Sequence, residues 1–271
     1  MQRVIALVTA CLVAPASGFA QSIVAPTAAQ LAAALDIPAS DIVTADVVTA
    51  PDVATHRVVT GWGIKIEPRA GGNMAALSTG IAADKKDPGF NHRSGGTRWN
   101  VLALNAPPAP PDGCAPPPNA YDMTEVRVVL RAPLNATAFS FDYNFLSTEY
   151  PDWVCSEFSD SFLALVDSAA FTGNIAADAL GRYATTNGAF FATPETESRS
   201  LLAGTTVQNG GGATMWIEAG APVVGGDTIT LRFVVYDGGD DAYDTHVLID
   251  NFKWTFGATT AAVTAWTGPA H

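Results

Sequence analysis

The sequence predicts an all-β protein, a two-sheet β-sandwich of jelly-roll type with a small N-terminal helix. Three observations carry this. Charged residues make up 15% of the 271-residue chain, with 24 Gly and 18 Pro, so helix formers are scarce and turn formers plentiful. Residues 138–166 open with strict alternation: Phe139, Phe141, Tyr143 and Phe145 fall on one face, Ser140, Asp142 and Asn144 on the other. A polar loop, 147–159, and a second apolar run, 162–166, complete this unit. The same order recurs at 228–256, where an apolar run is followed by the aspartate-rich loop 237–245 and by a second run. Alternating strands of this kind bury one face in a shared core. The chain is long enough to form that core without staples.

In chain order, residues 1–20 read as a signal peptide. Arg3 supplies the positive charge, the apolar stretch 4–14 is too short to span a bilayer, and Gly18-Phe19-Ala20 places cleavage after Ala20. Val8-Thr9-Ala10-Cys11 also resembles a lipoprotein box, but cleavage there would leave a very short apolar segment. Ordinary export is therefore expected over lipid anchoring at Cys11. A single domain, 21–257, follows, and then a short tail, 258–271, with no anchor signal. Residues 26–35 predict the helix: Thr27 and Gln30 have capping-box spacing, Leu31, Ala32 and Leu35 share a side, and Pro38 stops it. Strands are expected at 42–48, 53–59, 124–131, 189–192 and 214–218 besides the two units, and another from Met74 that ends in a Ser78-Thr79-Gly80 turn. Ser78-Thr79-Gly80 reads as a strand end, not as a G-x-S-x-G nucleophile elbow. Residues 84–99 form a surface loop, and 106–119 a Pro-rich excursion around Cys114.

Two cysteines remain after export, Cys114 and Cys155, and these predict one disulfide. There is no CxxC and no His pair at zinc-ligand spacing. The formal charge of −12 argues against nucleic acid, whose phosphates require clustered Lys and Arg. Nowhere is there an 18-residue apolar run, so no transmembrane segment is expected.

Carboxylates gather at both loops. The oxygen-rich set Glu149, Asp160, Asp237, Asp244 and Asp250 would suit Ca²⁺, a hard cation that takes six to eight oxygen ligands as a rule, if the loops meet at one end of a sandwich. The order is not that of an EF-hand. The same residues also read as solvated loop acids or turn formers. Asp250 is singled out because it shares a strand face with Leu248 and Phe252, and a buried carboxylate needs a partner; backbone amides or Arg232 are the alternatives to an ion. Trp99, Tyr150 and Trp153 are candidate ligand-binding aromatics for a sugar. A carboxylate pair such as Glu149 and Asp160 would serve a glycosidase if it flanked a groove. Serine-hydrolase, P-loop and dinucleotide signatures are absent, and no catalytic residue is assigned.

Three stretches together resemble the bacterial choice-of-anchor L family: Leu77-Ser78-Thr79-Gly80; the run 139–162 with Ser147-Thr148-Glu149-Tyr150-Pro151 and Ser159-Asp160-Ser161-Phe162; and the run 231–254 with Asp237, Asp240, Asp244 and Leu248-Ile249-Asp250-Asn251-Phe252. The helix at 27–35 also looks like that family's opening. The resemblance implies an exported or cell-surface β-rich domain and no established enzymatic activity. The expectation is a non-catalytic extracellular binding or adhesion module, calcium-stabilised and directed to a glycan or cell-surface component. A secreted carboxylate-dependent hydrolase is the alternative.

Overall fold

The computed structural model describes residues 25–90, 96–107, 113–177, 182–187, 200–257 and 263–266. The expected leader, Cys11 and the expected strand at 189–192 lie outside these. Among the described residues the strands form two antiparallel sheets. One runs in the order β1 (Ile42–Thr49), β5 (Asn119–Arg131), β11 (Thr228–Gly238), β7 (Ser161–Asp167), β8 (Thr172–Asn174). In it β4 (Leu102–Asn105) also pairs with β5, and β9 (Ala184–Thr185) with β7. The other runs β13 (Val263–Trp266), β10 (Gly212–Pro222), β6 (Ala136–Ser147), β12 (Thr245–Phe256), β3 (Met74–Ser78), β2 (His56–Val59). The chain changes sheet at β5–β6, β6–β7, β10–β11 and β11–β12, the back-and-forth path of a jelly roll.

The alternation in β6 does what its period requires. Phe139, Phe141, Tyr143 and Phe145 are all buried between the sheets, with Val126, Val128 and Leu130 of β5 and Leu231, Phe233 and Val235 of β11. Rings meet across the layers: Phe141 stands edge-on to Phe233 at 5.1 Å, and Tyr143 lies 5.0 Å from Phe162. Each such ring contributes on the order of 2–3 kcal/mol by leaving water. Helix α1 (Ala28–Ala34) packs on this core through Leu31, Ala32 and Leu35. Its capping box is formed: Gln30 N donates to Thr27 Oγ1 at 3.2 Å, and Thr27 N donates to Gln30 Oε1 at 2.8 Å.

Four features depart from the sequence expectations. Residues 53–55 form a 3₁₀ turn capped by Asp52, whose carboxylate accepts Ala54 N at 2.8 Å, so the strand begins only at His56. The second sheet is buried on its outer face too: Trp62, Ile66, Leu202 and Val207 cover Met74, Leu146, Trp216 and Leu248. Asp142 and Asn144 therefore lie in a covered layer. Strand β12 bulges between Asp250 and Lys253, opposite Asp142 and Ser140. The extra residue turns Phe252 inward to the main core, so it does not share the face of Leu248 and Asp250. Past Gly257 the chain returns as β13, with Val263 opposite Gly220 and Trp266 opposite Ile217, so the sheet runs beyond the boundary drawn at 257.

Candidate functional site

The two acidic loops meet at one end of the sandwich. Strand ends set this: Ser147, which closes β6, faces Thr245, which opens β12; Ser78, which closes β3, faces His246; Ser161, which opens β7, faces Tyr236. Glu149, Asp160, Asp237 and Asp244 flank these positions, and all four are buried, at 1%, 0%, 0% and 6% exposure.

Asp160 is the hub. It accepts hydrogen bonds from Gly238 N at 3.1 Å, from Ser147 Oγ at 3.4 Å and, at short range, from Thr245 Oγ1. Its own amide faces Glu149 Oε2 at 3.4 Å, and the Glu149 carboxyl hydrogen-bonds the Asp160 side chain. Asp244 sits in a cradle bounded by glycines, with Thr97 donating to it. A Cβ on Gly80 would fall 2.1 Å from its carboxylate and one on Gly96 2.5 Å, while Thr97 N donates to it at 2.7 Å. Glycine is needed at both positions because the acid occupies the space. Asp237 differs: both its oxygens are buried without a well-formed hydrogen bond, and Thr79 is the hydroxyl that acts on it. The Ser159 hydroxyl nearby is likewise buried and unpartnered.

Burial raises the pKa of all four, and their leading charged neighbours are other carboxylates. Desolvation disfavours the ionised form and like charges add to that. Glu149 is pushed far up by burial and then by Asp160. Asp160 also rises through burial, against the donors that hold it. Asp237 lies well above its ordinary value, through burial and then Asp160, and Asp244 rises to about 6. Burial and the neighbouring Asp160 thus favour the protonated form of Glu149. No three His, Cys, Asp or Glu side chains among the described residues are grouped to hold a metal ion in this arrangement.

The choice-of-anchor L domain family model matches residues 132–253. Over these residues the chain is similar to a choice-of-anchor L domain. The matched stretch contains all four clustered carboxylates; α1 and β1 to β5 precede it. A comparison with curated proteins found no match. Such a domain marks a surface-associated protein. No helix among the described residues is long and apolar enough to cross a membrane.

The remaining expected site residues are dispersed, and Trp99 and Cys114 lie before the matched stretch. Asp250 lies six positions along β12 from Asp244, about 20 Å at the rise of a strand. It is fully buried and accepts Arg69 N at 2.5 Å, Asn251 N at 2.7 Å and Ala70 N at 3.2 Å. Arg232 does not reach it, being paired in bidentate fashion with Glu125 at 2.7 and 2.8 Å. Tyr150 is half-buried against the main core. Trp153 is 38% exposed and stands edge-on to Phe158 at 5.3 Å. Trp99 is half-buried, with its amide donating to Asp122. Cys114 and Cys155 form the expected disulfide, which ties the Pro-rich excursion to the loop after Glu149.

Sequence reasoning missed Asp122 and the hydroxyls. Asp122 is buried in the middle of β5 at φ +49°, accepts the amides of Trp99 and Val101, and repels Asp244. An acid between Ala120, Tyr121 and Met123 in β5 was the available signal. Thr79, Ser147 and Thr245 carried none, because short hydroxyl side chains at strand ends are ordinary.

Proposed function

We propose that this protein is a non-catalytic, exported binding module whose acidic end takes up Ca²⁺ and is stabilised by it. The observation that carries this reading is Asp237: a fully buried carboxylate with no well-formed hydrogen bond and the Thr79 hydroxyl beside it, among Glu149, Asp160 and Asp244. Crowded buried acids either hold protons or share a cation, and a divalent ion removes both the repulsion and the desolvation penalty. Carboxylates and hydroxyls are hard oxygen donors of the kind Ca²⁺ prefers. Uptake would open the Glu149–Asp160 hydrogen bond, release its proton and turn those oxygens to a common point. Glu149 and Asp160 touch, whereas glycosidase pairs stand about 5–10 Å apart, so the geometry favours the ion over hydrolysis. The exposed face of Trp153, beside this end, is the surface offered to a glycan or cell-surface component.

Thermal melts of the mature protein in EGTA and in millimolar CaCl₂ are the test. Stabilisation of about 2.7 kcal/mol is expected at a hundredfold excess over Kd. Asp237→Asn should abolish it. An unmoved midpoint, or an equal effect of Mg²⁺, would sink the calcium site. A glycan array with wild type and Trp153→Ala tests the surface, and N-terminal sequencing of exported protein, expected to begin at Gln21, tests the export.

A further inference from the structure

The layer that covers the second sheet contains its own unexplained polar set. Trp62, Asn144 and His246 are buried at 1%, 0% and 0% exposure. Trp62 Nε1, both side-chain polar atoms of Asn144 and both ring nitrogens of His246 lack a hydrogen-bond partner. The three share one face. His246 lies opposite Leu146 and Asn144 opposite Leu248 on the paired strands β12 and β6, which makes the two polar residues diagonal neighbours. The Trp62 ring meets His246 from the facing loop, with their centroids 5.3 Å apart. That loop is fixed in place. Trp62 and Ile66 exchange backbone hydrogen bonds of 2.8 and 3.2 Å, and Ile64 N donates to Ala203 O at 2.8 Å. Gly63 lies so close to the second covering loop that a Cβ there would fall 2.7 Å from Ala203 O.

Buried polar groups in folded proteins are nearly always satisfied, by protein or by ordered water. The chemistry of this set identifies what satisfies it. The indole offers one donor, the amide two donors and an acceptor, and a neutral imidazole one donor and one acceptor. A small anion would meet the Asn144 oxygen and the acceptor nitrogen of His246, in a protein of net charge −12. A cation would face the indole N–H and the amide N–H₂. A neutral molecule that both donates and accepts leaves none of these donors and acceptors unmatched. We propose that Trp62, Asn144 and His246 enclose an internal hydration site, and that ordered water fastens the 60–73 loop to the outer face of the sheet. Such waters bridge two to four otherwise orphaned groups and are costly to remove.

A high-resolution crystal structure of the unaltered mature protein tests this. Water density is expected in every copy, within hydrogen-bond reach of at least two of Trp62 Nε1, the Asn144 amide and the His246 ring. A dry layer in which these side chains bond directly to one another would overturn the inference, and so would density larger than water. In solution, the indole N–H of Trp62 should show nuclear Overhauser contact with a long-lived water. Asn144→Leu should abolish or weaken that contact; if the variant does not fold, its presence or absence in the unaltered protein still decides.

Discussion

The molecule holds two sets of buried acids, one on facing strands of the second sheet and one at the loop end of the sandwich, and they are handled differently. On the outer face of the second sheet, Asp142 and Asp250 stand opposite one another on β6 and β12. Asp142 pairs with Arg69 Nε at 3.1 Å and accepts Asn251 Nδ2 at 2.9 Å, and Asp250 takes three backbone amides. At the end of the sandwich, Glu149, Asp160, Asp237 and Asp244 find hydroxyls, a few amides and each other. The first set is completed by the chain itself, through one guanidinium and a loop whose N–H groups point at the carboxylate. The second is completed by protons or by something from outside. Acidic residues in a β protein thus divide by their donors, not by their burial, and only the set without a cation has a reason to bind one.

The largest effect expected is on the loop that carries Glu149. The Cys114–Cys155 bridge spans 41 residues, and chain entropy assigns it about 4 kcal/mol. Replacing both cysteines with serine should lower the urea midpoint accordingly and weaken the calcium response, while leaving the Asp250 region as it was. Intact mass after alkylation without reduction should show no modified cysteine in the wild type. Next comes Asp250→Ala, which leaves three part-buried amides without their acceptor and should cost about 3 kcal/mol. That loss should be the same in EGTA and in CaCl₂. If calcium rescues the variant, or if it loses its calcium response, the two acid sets are not separate.

Titration sharpens the comparison further. A carboxyl whose pKa is higher in the folded state binds its proton more tightly there. Its contribution is complete below the unfolded value, near 4, and is lost as pH rises through the folded value. Asp244 is held at about 6 against an ordinary 3.8, worth about 3 kcal/mol on full ionisation. In EGTA the protein should therefore be more stable at pH 5 than at pH 7.5. Calcium should reverse the slope, since the ion displaces the protons. Asp250 also rises to about 6 through burial, against its three amides. The control is therefore Asp244→Asn, which should make the EGTA profile shallower and leave the shares of Asp160 and Asp250. A wild-type profile that climbs between pH 5 and 7.5 in EGTA would contradict the raised values.

Much of this was legible beforehand, because it rests on short-range periods. The alternation from Phe139 to Phe145 placed β6, and the two apolar–acidic–apolar units placed the strand ends whose meeting forms the site. What could not be read depends on residues distant in sequence. The covering layer requires Trp62 and Leu202 to arrive over Leu248. Asp122 joins the acidic end only because β5 bulges against β11 between Val235 and Asp237. The face of Asp250 was assigned correctly with Leu248 and wrongly with Phe252, since period two fails wherever a residue is inserted.

That inserted residue gives the smallest and most local test. Asn251 adopts φ +57°, and its amide nitrogen donates to Asp142. Two roles are combined there, a left-handed backbone that only Gly or a short polar residue adopts readily, and a donor that completes the first acid set. Two variants separate them. Asn251→Gly keeps the backbone and loses the donor; because Arg69 remains on Asp142, it should cost about 1 kcal/mol. Asn251→Ala loses both and should cost about 1 kcal/mol more, the penalty of a Cβ in that conformation. Denaturant midpoints read both values, and neither variant should alter the calcium shift. Equal losses for Gly and Ala would mean that the bulge relaxes when Asn251 is replaced. Phe252 would then leave the main core, and the loss of its stacked contact with Phe139, 5.6 Å between centroids, would show as a change in near-ultraviolet circular dichroism.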